Sequence, residues 1–335
     1  MRFGVRATFS RRAVILVSSC VVVAAAAALA TLPPEGVADR LGLHPPEAGP
    51  ALATGRLGFP SDREVPVPAP IPQPGQVAVC NEPGTDRVVA LPDEAAPGGE
   101  RPLWIRRPPG PDSADLPVLY LLHGSASTHE TLMAQGLGPL LDQEMCRAGV
   151  EFVIAAPYGQ EIGGTTTEWA DAADGRFALE SFVTGPVIEA VEGEHVRPRD
   201  LRAIGGFSMG GYGAAATALR HPDLYAQVAS WAGYFRVDDP HEVLGDGAAD
   251  HSPDLLLDSD GVEDLRFVLV EGTEEHTPLQ EGSIQGEAER FAGLLTDRGM
   301  TVATLRPRGG HDFRTWERSL PDVVDFLVSG WAATP

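Results

Sequence analysis

Lysine is missing from this 335-residue chain, so all 25 basic side chains are arginines, set against 47 acidic ones for a formal charge of -22. No functional reading follows from the missing lysine itself. The shortage of positive charge does exclude something. Affinity for nucleic acid rests on clustered basic side chains that neutralise phosphates, and outside the first dozen positions the chain has no such cluster. Metal-protease chemistry is also excluded, because the two His-Glu pairs, His129-Glu130 and His241-Glu242, lack the second histidine of a zinc-binding helix. There is no internal repeat. With 43% hydrophobic and 21% charged residues the composition is that of an ordinary globular protein, neither fibrous nor many times membrane-spanning. The length suits one α/β core with additions, the simplest reading.

The first 32 residues read as an export signal. Arg2, Arg6, Arg11 and Arg12 precede an apolar run from Ala13 to Leu32, and Ala28-Leu29-Ala30 offers a cleavage site. Ser10-Arg11-Arg12 followed by Ala13-Val14-Ile15-Leu16 also resembles a twin-arginine signal. The alternative is an uncleaved anchor over residues 13–32, since about 20 apolar residues can cross a bilayer. Cys20 is no lipidation site, because the apolar run continues beyond it. Cys80 and Cys146 are then the only cysteines of an exported domain. A disulfide between them is expected in an oxidising compartment, with two buried thiols as the alternative. Residues 33–75 are rich in Pro, Gly and Ala, and Val65-Pro66-Val67-Pro68-Ala69-Pro70-Ile71-Pro72 cannot pair as a central strand, so this stretch reads as a disordered linker. If the N-terminus stayed anchored it would be the only membrane tether.

From residue 76 to 335 short aliphatic runs alternate with helical patterns. Leu116–Leu122, Phe152–Ala156, Leu201–Gly205, Gln227–Trp231, Arg266–Val270 and Thr301–Leu305 read as strands. Their hydrophobicity is continuous rather than alternating, which predicts a largely parallel sheet covered by helices on both faces. Earlier runs at Gln76–Cys80, Arg87–Leu91 and Pro102–Arg106 are expected to add antiparallel strands at one edge.

The chemistry is carried by the segment that follows Leu201–Gly205. Gly206-Phe207-Ser208-Met209-Gly210 has the pattern G-x-S-x-G between a strand and the alanine-rich helix beginning near Ala214. That is the nucleophile elbow, in which a strained turn exposes the serine hydroxyl and glycines leave room for close backbone. Gly211-Tyr212-Gly213 also mimics a dinucleotide fingerprint, but its glycines begin after the serine turn and no acidic residue closes a following strand at the usual distance, so no cofactor is expected. A serine hydroxyl needs a base. His311, in Arg308-Gly309-Gly310-His311-Asp312-Phe313 just after the last strand, has the required place in the chain. The acid that orients it should follow the preceding strand, where Glu275 is the choice and Glu274 the alternative. The oxyanion would be held by the amides of Met209, directly after the nucleophile, and Ser125, in the His123-Gly124-Ser125 turn, with His123 bracing that loop. Glu161–Arg176 and Arg236–Asp264 read as insertions over the site. Trp169, in the first, either lines an acyl pocket or is ordinary packing.

These residues resemble a family that includes esterase D (S-formylglutathione hydrolase), feruloyl esterases and antigen 85 mycolyltransferases. Leu121-Leu122-His123-Gly124 is similar to its oxyanion loop, Gly206-Phe207-Ser208-Met209-Gly210-Gly211 to its elbow, and Gly310-His311-Asp312-Phe313 with Trp316 to its histidine segment. The family's Gly-x-x-Asp acid turn falls on Gly272-Thr273-Glu274-Glu275, with Glu in place of Asp. The resemblance implies an α/β-hydrolase fold and a secreted or envelope-associated serine esterase acting on a small-molecule or envelope ester, with neither metal nor cofactor. The alternatives are an acyltransferase that passes the acyl group to a sugar hydroxyl, and a catalytically silent binding protein on the same scaffold.

Overall fold

The structure, a computed structural model, describes residues 77–96, 98–110, 115–161 and 166–332. The expected signal (1–32) and linker (33–75) lie outside the described residues. In chain order the elements are a 3-10 turn Ala78–Cys80, strands β1 (Thr85–Pro92), β2 (Glu100–Arg107) and β3 (Val118–Leu122), helices α1 (His129–Ala134) and α2 (Leu137–Ala148), and β4 (Val153–Pro157). Helices α3 (Leu179–Phe182) and α4 (Ile188–Glu192) follow, joined by a π turn. Next come β5 (Arg202–Phe207), α5 (Met209–Arg220), β6 (Gln227–Trp231), β7 (Arg266–Val270), α6 (Glu287–Asp297), β8 (Thr301–Leu305), α7 (Phe313–Glu317) and α8 (Leu320–Trp331).

The eight strands form one sheet in the order β1-β2-β4-β3-β5-β6-β7-β8. β1 and β2 pair antiparallel, β2 runs antiparallel to β4, and β3 to β8 are mutually parallel. Every residue of β3, β4, β5 and β6 is buried, as continuous apolar runs require when both faces are covered. The period of two divides each strand between two cores. Tyr120 and Leu122 pack with Ala214 and Ala218 of α5 and Phe291 of α6, whereas Leu119 and Leu121 pack with Leu141 and Met145 of α2 and Val323 and Leu327 of α8. Of the outermost strands, β1 is largely exposed and β8 is half-buried to exposed. The helix between β4 and β5 widens into a π turn at Val183–Val187, which contains Pro186, a residue that has no amide to donate and so interrupts the α-helical ladder.

One expected element differs. The run Gln76–Cys80 does not pair with the sheet; where described it is the 3-10 turn Ala78–Cys80. Other partners take the groups a strand would have used. The Val79 amide donates to Glu151 at 2.8 Å, and Cys80 is bonded to Cys146 of α2 across 66 residues. Beside that bond, Asp142 of α2 accepts from the Gly84 amide and two guanidinium nitrogens of Arg106 in β2, so the first turn, the edge strands and α2 are fastened together. Among the described residues, no helix is long and apolar enough to cross a membrane.

Because β3 to β8 are parallel, their C-terminal ends share one edge of the sheet. The loops that leave that edge carry His123 to Ser125, Gly159 and Gln160, Ser208, Ala232 to Tyr234, Glu275 and His311. An open α/β sheet places its ligand sites at this edge.

Candidate active site

Ser208 stands between β5 and α5 at φ 55° and ψ -119°, a conformation that only a tight turn imposes on a non-glycine residue. Its amide donates to the Trp231 carbonyl at 2.7 Å, so β6 pins the turn. The flanking glycines are required by space. A Cβ on Gly206 would lie 2.3 Å from the Gly210 carbonyl oxygen, and one on Gly210 would lie 2.1 Å from that of Leu122. The Ser208 side of the turn touches the β3 loop as well, a Cβ on Gly124 falling 3.4 Å from the Ser208 Cβ. Met209 opens α5, where the first amides have no intrahelical acceptor and the helix presents its positive end.

The histidine loop is zipped to the acid turn by an extension of the β7–β8 pairing. The amides of Glu271, Thr273 and Glu274 donate in turn to the carbonyls of Leu305, Pro307 and Gly309. Gly272 has no room for a Cβ, which would meet the Gly309 oxygen at 2.4 Å. This register places Glu275 Oε2 2.8 Å from His311 Nδ1, while Glu275 Oε1 accepts from the Thr277 amide at 2.9 Å. Burial of this fully enclosed carboxyl would raise its pKa, but the hydrogen bonds from His311 and Thr277 outweigh burial and hold it at about 2. Glu275 is therefore a carboxylate at any ordinary pH, fixing the His311 proton on Nδ1 and leaving Nε2 free to accept. Glu274 points elsewhere, its side chain 62% exposed and 3.8 Å from Arg308. Trp316 ties the loop to the elbow, with Phe207 stacked on it and His311 set edge-on, each with ring centroids 5.2 Å away. Among the described residues no hydrogen bond joins the Ser208 hydroxyl to His311; such bonds are often long in a ligand-free hydrolase.

The β3 loop is held from three sides. His123 is buried, and burial pushes its pKa down to about 4 despite the Gly124 carbonyl at its ring. The neutral ring takes a single tautomer. Nε2 accepts from the Gly159 amide at 2.9 Å, so Nδ1 carries the proton and donates to the Gly124 oxygen at 2.9 Å. Trp169 is also buried, 1% exposed, with its indole N–H donating to the His123 carbonyl at 3.0 Å. Of the two roles open to Trp169 the structure has the packed one, because the indole is enclosed between Gly159 and Gly213 and presents no surface to an acyl chain. Sequence reasoning missed two residues here. Gln160 Nε2 donates to the carbonyls of Ser125 and Ser127, and Glu168, 2% exposed, accepts from the Tyr234 hydroxyl. The Gln160 side chain carried no motif, and the burial of Glu168 depends on a partner 66 residues away. Among the described residues no group of His, Cys, Asp and Glu is placed to hold a metal ion.

Solved structures share this architecture. A ferulic acid esterase superposes with a TM-score of 0.64 at 19% identity, covering 75% of this chain and all of that one. An S-formylglutathione hydrolase from Agrobacterium tumefaciens gives 0.60 at 18% identity over 74% of this chain and 96% of its own. MPT51 (FbpC1) of Mycobacterium tuberculosis gives 0.56 at 17% over 72% and 99%. At these identities the likeness is one of fold. By sequence, the chain is similar to an endo-1,4-beta-xylanase/feruloyl esterase of Xylanibacter ruminicola, 25% identical over 63% of this chain and 26% of that protein. It is also similar to an S-formylglutathione hydrolase of Paracoccus denitrificans, 29% identical over 38% of this chain and 50% of that protein. The matches thus span between a quarter and a half of the length of these curated relatives. The family model described as "Putative esterase" matches residues 95–327, and the chain belongs to that family, on an α/β-hydrolase fold.

Proposed function

We propose that this chain is an exported serine esterase that cleaves carboxylic esters through Ser208, His311 and Glu275. The observation that carries the reading is the Glu275–His311 hydrogen bond of 2.8 Å, from a fully buried carboxylate, at the same sheet edge as the strained Ser208 turn. His311 Nε2 takes the Ser208 hydroxyl proton as the oxygen attacks the ester carbonyl, and Glu275 stabilises the imidazolium that results. The amides of Met209 and Ser125 receive the oxyanion. The tetrahedral species collapses as His311 returns the proton to the departing alcohol. Water, deprotonated by the same histidine, then releases the acid from the acyl-enzyme.

Membership of an esterase family and the names of the curated relatives support ester substrates of small-molecule size. Export is supported by the arginine-led apolar run at the N-terminus and by the Cys80–Cys146 bond, since disulfides persist mainly in oxidising compartments.

The test is hydrolysis of p-nitrophenyl esters from acetate to palmitate by the wild type and by Ser208→Ala. The substitution should lower kcat by about 10⁴-fold or more while the fold is retained, and a fluorophosphonate should label only the wild type. A wild type that neither hydrolyses any of these esters nor takes the label overturns the reading in favour of a silent binding protein. Acyl transfer to an added sugar in preference to water would reassign the second half-reaction.

A further inference from the structure

Between β4 and α3 the chain makes a turn in which four consecutive residues are buried, Thr167 at 0%, Glu168 at 2%, Trp169 at 1% and Ala170 at 2%. Loops ordinarily run over the surface, so a turn this enclosed has contacts that hold it. Glu168 and Trp169 both have positive φ, 50° and 55°. Their conformation is fixed from outside. The Thr167 hydroxyl donates to the Gly159 carbonyl at 2.9 Å, the Tyr234 hydroxyl donates to Glu168 at 2.5 Å, and Tyr234 stacks on Tyr212 of α5 at 4.8 Å. The turn aims one large side chain at the β3 loop. The Trp169 ring lies edge-on to His123 at 4.9 Å, and a Cβ on Gly159 or Gly213 would fall 2.4 or 2.6 Å from Trp169 atoms. Two glycines on separate elements thus leave the space the indole fills.

The hydrogen bonds fall on consecutive peptide planes. The His123 carbonyl is held by the indole N–H of Trp169 at 3.0 Å. The next carbonyl, Gly124, receives His123 Nδ1–H at 2.9 Å, the Ser127 amide at 3.1 Å and Gln160 Nε2 at 3.3 Å. Gln160 reaches on to the carbonyls of Ser125 and Ser127. In a trans peptide the N–H points opposite to the carbonyl. Holding the Gly124 carbonyl therefore sets the direction of the Ser125 N–H, and holding the His123 carbonyl fixes the plane before it. Gly124 packs against Ser208, so this N–H is set within the nucleophile's surroundings.

We propose that Trp169 and Gln160 are positioning residues that clamp these two peptide planes and so preset the Ser125 amide for the oxyanion. The proposal rests on the serine-esterase reading above. Neither residue needs to touch the substrate. Their contribution lies in the transition state, where the carbonyl oxygen becomes an anion, and binding of the ground-state ester gains little from it.

The test compares wild type, Trp169→Phe, which keeps an aromatic ring and removes the N–H, and Gln160→Ala, at a partly exposed site. Each is assayed for p-nitrophenyl butyrate kinetics, thermal unfolding, fluorophosphonate labelling and inhibition by a trifluoromethyl ketone. The ketone forms a Ser208 Oγ–C bond, its carbonyl oxygen becomes the oxyanion and the serine proton passes to His311. Each variant should lose roughly ten- to hundredfold in kcat with KM little changed, and the inhibition constant for the ketone should rise by the same factor. If Trp169→Phe does not fold, Gln160→Ala decides alone. Unchanged kcat and ketone affinity in folded, labelled variants overturn the positioning role while leaving the esterase reading intact. A wild type that fails to label overturns the esterase reading itself.

Discussion

Gly206 and Gly210, like Gly272, are glycines at which an added methyl group would meet backbone atoms. At Gly210 it would press on two backbone carbonyls of the β3 loop, Leu122 at 2.1 Å and His123 at 2.8 Å. Backbone cannot turn aside as a side chain can, so Gly210→Ala must separate the elbow from the loop that holds the Ser125 amide. We expect a loss of roughly 1–3 kcal/mol in chemical denaturation, together with a fall in kcat far larger than any rise in KM. The contrast is Gly293, within α6, where an added methyl would have nothing within 4 Å of it and φ is not positive. Gly293→Ala should stabilise by up to about 1 kcal/mol through helix propensity alone and leave kinetics untouched. If the two variants unfold at the same denaturant concentration, crowding does not explain the glycines of the elbow.

Among the elements, the buried turn Thr167–Ala170 makes a prediction of its own through Glu168. Burial pushes this carboxyl up to about 7, against the pull of its hydrogen bonds from Tyr234 and Thr166, with Asp239 and Asp238 adding like charge. An acid whose folded pKa is raised binds its proton more tightly in the native state than in the unfolded chain, where it titrates near about 4.3. Stability from this group is therefore complete below about pH 4.3 and is lost as pH rises through about 7, by roughly 4 kcal/mol. Glu168→Gln should flatten that part of the stability profile, measured by urea unfolding between pH 4.5 and 7.5; an unaltered slope would mean that Glu168 is not the group responsible. This turn also shows where sequence reading stops. The parallel strands were legible because burial on both faces writes itself as uninterrupted runs such as Val-Leu-Tyr-Leu-Leu in β3. The polar pair Thr167-Glu168 carries no such mark, since its partners, the Gly159 carbonyl and the Tyr234 hydroxyl, come from other parts of the chain. The run Gln76–Cys80 misled for the opposite reason. It has the valines of a strand, but Glu151 and Cys146 claim it first. At the site, the expected order serine, acid, histidine was read along the chain with Glu275 chosen over its neighbour Glu274, and the register that faces Glu275 to His311 and leaves Glu274 beside Arg308 has no mark in the sequence.

For the whole molecule, the governing fact is a formal charge of -22 built without a single lysine. Several arginines are occupied within the structure. Arg202 is bidentate on Glu192, Arg106 on Asp142, and Arg290 bridges Glu287 and Asp254, so much of the positive charge is neutralised locally by carboxylates. The excess acids are left to set the outer field. In the loop that leaves β6 at the sheet edge that carries Ser208, the Asp238 carboxylate accepts from the Gln280 amide and that of Asp239 from the Val243 and Leu244 amides, and Glu274, after β7, is exposed. An anionic substrate approaching this edge meets repulsion that a neutral ester does not, and the repulsion weakens with salt as the Debye length falls from about 30 Å at 0.01 M to about 3 Å at 1 M. Accordingly, kcat/KM should be lower for p-nitrophenyl hemisuccinate than for p-nitrophenyl butyrate in dilute buffer, and added sodium chloride should narrow the gap by raising the first value while scarcely moving the second. A gap that persists unchanged at high salt would locate the discrimination in direct contacts within the site, since the long-range field would by then be screened.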